Sequence, residues 1–383
     1  MGKTCSVVLV GINGYGGVHT RAALDYTGDA ALVIAGLVDP AYESFHRLDE
    51  AVARGIPCFA SLEAFFAAGH KADLAFIATP IHTHLPLTEL AMQNGCHVYC
   101  EKPVAGSLTE ALEMQALAKK YGRKLEIGFQ LSHNPAILAM KRDILEGVWG
   151  KPLRMKTIVL WPRNSRYYRR GWAGKRHAAN GKPIMDSIAS NATAHYIQNM
   201  LFLLGGQMDA CANPANVNAR LFRANDIETF DACMLDIQTE GGVQLLYYAA
   251  HCTDKLRHPE VVYEFEKGVI AFHTVSGRVT GALADGGIIE YGDIEDQLPP
   301  IATMAEAIAF SNDALLTCPI GAALGHIRVM EAVNQMLDTV AVCPPEARYV
   351  VPDANESGET IVIYEGLAVR LEKAYEEWGV VAE

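Results

Sequence analysis

Residues 6–17 read SVVLVGINGYGG, and this stretch decides the fold of the first part of the chain. Its opening run, Ser6 to Val10, is apolar and rich in β-branched residues without polar alternation, which is typical of a strand buried on both faces of a parallel sheet. A glycine-rich turn follows, and an alanine-rich helical stretch continues to about Tyr26. A strand, a glycine turn and a helix in this order predict a nucleotide-binding unit.

The glycine turn matches the pattern GxGxxG at its outer positions, Gly11 and Gly16, and has Asn13 in the middle. Gly14 is the residue expected to restore the close approach of the backbone, and Asn tolerates a left-handed backbone better than most residues. A glycine turn also serves packing alone, but the strand before it and the helix after it favour nucleotide binding. We predict that the loop, Tyr15 included, binds the pyrophosphate.

Asp39 ends the second apolar run, 23 residues after Gly16, close to the spacing of about 20 expected for the acid that binds the ribose. An acid at this place accepts hydrogen bonds from the ribose 2′-hydroxyl and repels a 2′-phosphate. Because Pro40 supplies no compensating cation, the sequence favours NAD over NADP as the cofactor.

Strands and helices alternate with short connections up to about Phe129, which predicts a doubly wound parallel sheet. Beyond Pro135 the strands are longer and alternate in polarity, as in antiparallel or mixed sheets. We predict an α/β Rossmann domain at residues 1–130 and an α+β domain at 131–383 with a large, mainly antiparallel open sheet. Helices are expected at residues 320–337 and 359–376, and it stays open whether the C-terminal helices pack back on the first domain.

The chain has 383 residues, 50% of them apolar and 20% charged, and a formal net charge of −12. This balance fits soluble globular domains and argues against nucleic acid or a membrane as a partner. The nine cysteines are odd in number and scattered, unlike a disulfide framework or a zinc site, so we expect no metal and a reducing compartment. With no signal-peptide pattern in the sequence, we expect a cytoplasmic protein.

Two further turns, ATPIHTH at 78–84 and YCEKP at 99–103, follow the fourth and fifth predicted strands, where ligands of doubly wound sheets bind. With these motifs the sequence resembles the Gfo/Idh/MocA family, the glucose-fructose oxidoreductase and inositol dehydrogenase group. The matching residues are Gly11 to His19, Asp39, Thr79-Pro80 with His84, Glu101-Lys102-Pro103, and Gly128-Phe129 with Pro135.

The resemblance implies that Lys102 works beside the nicotinamide of the cofactor. Hydride transfer from a carbinol must be coupled to removal of the hydroxyl proton, and a lysine becomes a usable base where burial and a nearby cation lower its pKa. The alternative is that Lys102 only contacts the cofactor or pairs with Glu101. The cofactor-binding set implied at the strand ends comprises Thr79, Pro80, His84, Glu101, Lys102 and Gln130.

The second half of the family's site is usually an aspartate four residues before a histidine, and here Asn191 stands four residues before His195. An asparagine can hydrogen-bond a hydroxyl but cannot take its proton. Asp186 offers a competing register for the aspartate, although an acid just before a helix is also simply a cap. We expect one helix from Ser187 to Leu204 that carries Asn191, His195 and Gln198 on one stripe, with His195 as a substrate ligand or proton-transfer partner of the catalytic lysine.

Ten cations and no acid lie between residues 147 and 185, where the resemblance places the substrate loop. Aromatic rings stack on sugar faces and arginines bind carboxylate or phosphate, which favours an anionic substrate. The competing interpretation is that these cations contact cofactor phosphates or pair with acids such as Asp285, Glu290 and Asp293. The predicted substrate-binding residues are Arg163, Tyr167, Tyr168, Arg169, Trp172, Asn191 and His195.

These patterns predict an NAD(P)-dependent oxidoreductase that moves a hydride between a sugar, sugar acid or cyclitol carbinol and nicotinamide. Lys102 is its predicted general acid/base, and Asp186, Asn191 and His195 are further catalytic candidates. Two alternatives stay open. One is an NAD-dependent glycosidase that works by transient oxidation and elimination, and the other is a non-catalytic NAD-binding sensor. By resemblance we expect a homodimer or homotetramer.

Overall fold

The computed structural model describes residues 4–26, 32–273, 277–294 and 301–381. Within these ranges the chain forms two compact units. Unit 1 comprises residues 4–133 and 301–323, and unit 2 comprises residues 134–294 and 324–381. The sequence analysis assigned all of 131–383 to the second domain, whereas residues 301–323 belong to unit 1 because apolar side chains near residue 301 join the core of that unit.

Unit 1 is built on a six-stranded sheet in the order β3-β2-β1-β4-β5-β6, and all of its strand pairs are parallel. This confirms the predicted Rossmann sheet. Side chains of the central strands are buried on both faces, as the unbroken apolar runs require. The strands are β1 (Cys5–Val10), β2 (Leu32–Val38), β3 (Cys58–Phe59), β4 (Leu74–Ile77), β5 (His97–Cys100) and β6 (Leu125–Ile127).

Helices connect these strands, and the turns that follow β1, β2, β4, β5 and β6 all lie at one edge of the sheet, which we call the carboxyl edge. Ser61 and Ser107 cap two of the helices by accepting a backbone N–H with the side-chain oxygen. The helices are α1 (Gly16–Asp25), α2 (Leu48–Ala53), α3 (Leu62–Ala67), α4 (His84–Gln93) and α5 (Leu108–Tyr121).

Unit 2 is built on a nine-stranded mixed sheet in the order β14-β13-β12-β11-β7-β10-β9-β8-β15. The pairs β7–β10 and β8–β15 are parallel and the other pairs are antiparallel, which confirms the predicted mainly antiparallel sheet. The strands are β7 (Pro152–Leu160), β8 (Pro214–Arg223), β9 (Ala232–Thr239), β10 (Gln244–Ala250), β11 (Arg257–Phe265), β12 (Gly268–His273), β13 (Arg278–Leu283), β14 (Ile288–Asp293) and β15 (Ala341–Val342).

The helix predicted from Ser187 to Leu204 is interrupted. A π-helical turn, Ile188–Ala192, comes first, and the α-helix begins only at Ala194. Ser187 and Ser190 form a reciprocal capping box, which fixes the start of the π turn and separates it from the following helix. The helices of this part of the chain are α6 (Pro135–Leu145), α7 (Ser165–Tyr168) and α8 (Ala194–Leu203).

The C-terminal part corrects a second prediction, the helix at 359–376. Residues 360–364, TIVIY, form a strand that pairs with an earlier one, because their β-branched side chains favour extended backbone. The remaining elements are α9 (Ile301–Phe310), α10 (Ile320–Asn334), β16 (Arg348–Pro352), β17 (Thr360–Tyr364) and α11 (Leu367–Glu376). Within the described ranges, none of the helices combines the length and apolar character needed to cross a membrane.

Candidate active site

The glycine loop after β1 is a turn with no room for side chains at its two ends. A Cβ atom on Gly16 would lie 1.8 Å from the carbonyl oxygen of Gly11, and one on Gly11 would lie 2.4 Å from that of Ala78. Gly14 instead has a φ of +57°, and a Cβ there would meet nothing within 4 Å among the described atoms. The loop therefore keeps its shape by close backbone packing and leaves space above Gly14.

Helix α1 begins directly at this loop, and its first amides face the carboxyl edge. Tyr15 precedes the helix in αR conformation, and no side chain in the described structure caps it by a hydrogen bond. The Tyr15 ring is 55% exposed and meets His19 edge-on, with 5.2 Å between the ring centroids. The amides of Gly17 and Val18 donate to the carbonyls of Gly14 and Tyr15 at 3.2 and 2.9 Å, so the helix start offers a phosphate mainly its positive dipole end.

Asp39, at the end of β2, holds the glycine loop through its carboxylate. Oδ2 accepts the backbone N–H groups of Ile12 at 3.1 Å and Asn13 at 3.3 Å, and Oδ1 accepts that of Ala41 at 2.9 Å. The Asn13 side chain donates to the carbonyl of Ala41 at 3.1 Å. The residue predicted to bind the ribose thus also fixes the loop predicted to bind the pyrophosphate. Its Oδ1, which accepts a single N–H, keeps a further lone pair for a hydroxyl.

His84 joins the turn after β4 to the turn after β5. Its Nε2 lies 3.0 Å from the carbonyl oxygen of Thr79, and its Nδ1 lies 3.0 Å from that of Pro103 and 3.2 Å from that of Val104. The ring is fully enclosed, and burial lowers its pKa below the usual value, against the opposing effect of the carbonyl groups. His84, predicted to bind the cofactor, is therefore buried and connects the two turns. Thr79 and Pro80 lie at the surface of their turn.

The turn after β5 contains a buried carboxylate and the predicted base. Oε1 of Glu101 lies 2.9 Å from Nε2 of the buried His19, and Oε2 accepts the backbone N–H of Lys102 at 3.0 Å. Gly128 on β6's exit makes room for this carboxylate, since a Cβ there would lie 2.9 Å from Cδ of Glu101. Lys102 itself is half-buried, and the Lys102–Pro103 peptide bond is cis.

His19 is a residue whose role the sequence analysis missed. The signal for it was a histidine three residues after Gly16, on the face of α1 that turns toward the sheet. Gln130, the last predicted cofactor residue, is half-buried at the start of the turn after β6. All the predicted cofactor residues of unit 1 except the buried His84 therefore line turns of the carboxyl edge.

In unit 2 the two candidates for the aspartate of the family lie side by side. Nδ2 of Asn191 donates to Oδ1 of Asp186 at 2.8 Å, and the backbone N–H of Gly174 donates to Oδ2 at 2.7 Å. Asp186 is 2% exposed. The two residues proposed from the sequence for the aspartate position are therefore in contact. Asp186 supplies the carboxylate, and Asn191 on the π turn donates to it.

His195 lies in the first turn of α8 and is half-buried. Gln198, one turn later, is fully buried, so the predicted polar stripe is not a solvated face. Tyr196, the residue after His195, has its ring centroid 6.1 Å from that of Trp161.

Five side chains from the loop after β7 and the end of β10 form what we call the Tyr167 cluster: Arg163, Tyr167, Tyr168, Trp172 and His251. The ring of Tyr167 lies 5.3 Å from the Arg163 guanidinium, 5.6 Å from the His251 ring and 6.3 Å from the Trp172 ring. Burial, and next Asp186, raise the pKa of Tyr167. Burial together with Arg163 lowers the pKa of His251 to about 3, so its ring is neutral.

Three polar atoms of this cluster have no hydrogen-bond partner among the described residues. They are the buried hydroxyl of Tyr168, Nε2 of His251 and Nε of Arg163. Nδ1 of His251 donates to the carbonyl of Trp161 at 2.7 Å, which leaves Nε2 as an acceptor. The histidine was not foreseen, and its only signal was its place at the end of an apolar strand.

The basic segment faces acids of unit 2, but not those proposed from the sequence. Nε of Arg154 lies 2.7 Å from Glu264, Nζ of Lys175 lies 3.0 Å from Glu228, Arg166 pairs with Glu356 and Arg169 pairs with Glu359. Among the described residues no ion pair joins the basic segment to Asp285, Glu290 or Asp293, which lie on or next to β13 and β14 at the far end of the sheet. There Glu290 pairs with Arg278 at 3.2 Å, and pairing of these acids across a dimer stays a prediction.

Comparison with known proteins supports the assignment of unit 1. Residues 5–129 match the family model GFO_IDH_MocA, described as "Oxidoreductase family, NAD-binding Rossmann fold". The chain is 26% identical over 248 residues to 1,5-anhydro-D-fructose reductase of Ensifer adhaerens, an alignment covering 63% of this chain and 69% of that protein. It is 29% identical over 166 residues to inositol 2-dehydrogenase of Rubrobacter xylanophilus, covering 42% of this chain and 44% of that protein.

Not all similar proteins are matched over this length. The chain is 39% identical to the uncharacterized oxidoreductase YdgJ of Escherichia coli over 79 residues, which is 21% of this chain and spans only 23% of that protein. The alignments of the chain thus span about a quarter of YdgJ and, at 25%, of YfiI of Bacillus subtilis.

Solved structures share the fold over both units. The WlbA dehydrogenase from Bordetella pertussis, in complex with NADH and UDP-GlcNAcA, aligns with a TM-score of 0.69 and 21% identity over 88% of this chain and 97% of that one. An aldose-aldose oxidoreductase from Caulobacter crescentus aligns with a TM-score of 0.68 and 18% identity over 88% and 98%. The family match over residues 5–129 and the named relatives thus show that the Rossmann part of this chain is similar to that of the Gfo/Idh/MocA oxidoreductases.

Proposed function

We propose that this chain is an NAD-dependent oxidoreductase that moves a hydride between a carbinol of a small carbohydrate, sugar acid or cyclitol and nicotinamide. One observation carries the proposal. The carboxyl edge of a family-matched NAD-binding sheet gathers a glycine loop, an acid at the end of β2 and a half-buried lysine whose backbone is held by a buried carboxylate. The oxidoreductase class is shared with the named relatives.

The residues of this edge fit a dinucleotide. The space above Gly14 and the positive dipole end at the start of α1 suit a pyrophosphate, and Asp39 keeps acceptor capacity for ribose hydroxyls. Residues 40–44 carry no cation to offset the repulsion between Asp39 and a 2′-phosphate. We therefore propose NAD rather than NADP as the cofactor.

Lys102 is the proposed general acid/base. Bound NAD accepts or returns the hydride, and Lys102 takes the hydroxyl proton of the carbinol in the oxidation direction and returns it in the reverse direction. Glu101 fixes the backbone of the lysine, and His19 in turn holds Glu101, so the base is presented from a turn with few alternative conformations. The catalytic roles predicted for Asp186, Asn191 and His195 stay predictions.

The substrate class rests on the relatives and on the Tyr167 cluster. The relatives include a reductase of an anhydro sugar and an inositol dehydrogenase. Tyr167 and Trp172 supply rings of the kind that pack on sugar faces. Acidic sugars stay within the class, since Arg163 has no carboxylate within ion-pair distance among the described residues. A cytoplasmic location and a homo-oligomeric state stay predictions.

The decisive experiment replaces Lys102 by alanine. We expect turnover of neutral and acidic polyols with NAD to fall by about 100-fold or more, because positioned acid/base groups contribute about 10²- to 10⁴-fold. The dissociation constant for NAD, measured by fluorescence titration, should change little. The exposed lysine of α5, Lys119, provides the control as Lys119→Ala. Retained turnover in Lys102→Ala would show that the lysine is not the base.

A further inference from the structure

Helix α7 is too short to be stable by itself. It has four residues, and isolated helices of this length do not form in water. Its internal support is one capping contact, in which Oδ1 of Asn164 accepts the backbone N–H of Tyr167 at 3.3 Å, and a few backbone bonds such as that from Arg169 to Ser165 at 3.2 Å. The conformation of this part of the substrate loop must therefore be set by what packs against it.

The hairpin of β16 and β17, residues 348–364, which we call the acidic hairpin, covers one side of α7. Nδ2 of Asn164 donates to Asp353 at 2.7 Å and to Glu356 at 2.8 Å. The hydroxyl of Ser165 donates to Glu359 at 2.6 Å. The backbone of the hairpin also takes part, through a bridge between Asn164 and residue 361.

Two ion pairs extend these contacts along the helix. Arg166 pairs with Glu356 and Arg169 pairs with Glu359. An exposed ion pair alone contributes little, but each of these glutamates binds both an arginine and an uncharged side chain of the same short segment. The set acts as a network, so it resists separation of hairpin and helix better than isolated pairs.

The two tyrosines of α7 have the opposite environment. Tyr167 contacts the rings of the Tyr167 cluster, and the hydroxyl of Tyr168 is buried. Among the described residues, the side-chain hydrogen bonds and ion pairs between the acidic hairpin and α7 involve residues 164, 165, 166 and 169 and neither tyrosine. Holding the polar residues of α7 therefore fixes where its aromatic residues lie.

We propose that the acidic hairpin is a positioning element for substrate recognition: it clamps α7 so that Tyr167 and Tyr168 are presented in one arrangement to the substrate. The proposal rests on the function proposed above. It explains why the most basic stretch of the chain occurs here, since part of its charge is used inside the molecule to attach the loop to a hairpin 190 residues away.

Charge exchange across one pair tests the proposal. The variants are Arg166→Glu, Glu356→Arg and the two combined. We expect each single variant to raise the KM for the polyol by about two- to fivefold, the effect of an exposed pair, with kcat and the KM for NAD unchanged. The combined variant should restore most of the KM, because it re-forms the ion pair and Asn164 keeps its bond to Asp353 although it loses the one to Glu356. Arg278 and Glu290, an exposed pair between β13 and β14, provide the control exchange.

Hydrogen exchange separates this proposal from the function on which it rests. Backbone amides of residues 164–169 should exchange faster in both single variants and recover in the combined one, without any substrate present. If the wild-type chain turns over no polyol, the proposed function fails, while the exchange data still decide whether the hairpin clamps α7. Unchanged exchange and unchanged KM in the single variants, or the same response from the control pair, would overturn the proposal.

Discussion

The carboxyl edge of unit 1 and the Tyr167 cluster of unit 2 both concentrate buried polar groups, but they differ in how those groups are paired. At the edge, Asp39 accepts three backbone N–H groups, His84 faces three carbonyls, and Glu101 lies against His19 and the Lys102 amide. In the cluster, the described residues leave the Tyr168 hydroxyl, His251 Nε2 and Arg163 Nε without partners.

This difference indicates two ways of building a binding surface. Paired groups such as Asp39 and His84 hold the turns of the edge in place before any ligand arrives, which suits a site that must align a large cofactor. The exception is His19, whose two ring nitrogens make no hydrogen bond among the described residues. Buried groups without protein partners are costly, and water or a ligand hydroxyl must compensate them. We therefore expect unit 1 to be sensitive to changes in packing and the cluster to be tolerant until a ligand is bound.

The largest effect is expected from Gly16→Ala. A methyl group there would lie 1.8 Å from the carbonyl oxygen of Gly11, so the loop must move. We expect the free energy of unfolding to fall by about 3 kcal/mol and NAD binding to be lost, as measured by urea unfolding and by titration. Gly14→Ala is the matched control. It meets open space and should cost only about 1 kcal/mol from its left-handed backbone. Equal stability of both variants would contradict the paired, close-packed description of the edge.

Lowering the pH should destabilise both regions, because His84 in unit 1 and His251 in unit 2 are buried as neutral rings. Burial lowers the pKa values of His84 and His251, the latter to about 3, whereas an unfolded histidine titrates near about 6.5. Below that value the unfolded chain binds more protons than the folded one, so the free energy of unfolding falls as pH falls. Each histidine contributes up to about 1.4 kcal/mol per pH unit.

Urea unfolding between about pH 7.5 and about pH 5 measures this slope. In His251→Asn the amide can still donate to the Trp161 carbonyl, so the variant should fold, but the slope should be smaller than that of the wild type. A slope that does not change would mean that His251 is protonated in the folded state, and Nε2 would then be a donor rather than an acceptor.

Much of the fold follows from local sequence. Some patterns depend only on residues adjacent in the sequence, such as the apolar run at 6–10, the glycine turn and Asp39. The structure confirms the parallel sheet that they imply. The strand at residues 360–364 was mistaken for helix because it directly precedes α11, whose polar and apolar spacing dominates that stretch. The attachment of α9 to unit 1 has no local signal, since only the packing partner decides it.

The site divides in the same way. Residues that depend on one turn, such as Gly11, Gly16 and Lys102, were proposed from motifs, and their roles stay predictions. Contacts between distant segments were not foreseen, because a sequence does not show which acid a cation will meet. Arg166 and Glu356 are 190 residues apart, and the glutamate that His19 contacts lies in the turn after β5. The acids chosen from the sequence, such as Asp285, therefore differ from the hairpin acids.

The smallest expected effect is a difference in the free energy of unfolding between two variants that each remove a buried tyrosine hydroxyl. The hydroxyl of Tyr248 donates to the carbonyl of Gly379 at 2.6 Å and lies 3.2 Å from that of Ala374, so Tyr248→Phe should cost about 1 kcal/mol in urea unfolding. Tyr168→Phe removes a hydroxyl with no partner among the described residues and should be neutral or slightly stabilising.

Ligand binding then shows what the Tyr168 hydroxyl is for. If a substrate hydroxyl forms the missing hydrogen bond, Tyr168→Phe should weaken binding of the polyol severalfold, while NAD affinity stays the same. This magnitude follows because hydrogen bonds between uncharged groups contribute about 0.5–1.5 kcal/mol. If a buried water compensates it, Tyr168→Phe should instead be destabilised in the absence of ligand, like Tyr248→Phe, and polyol affinity should not change. A loss of stability equal to that of Tyr248→Phe would thus remove the contrast between the cluster and the paired carboxyl edge.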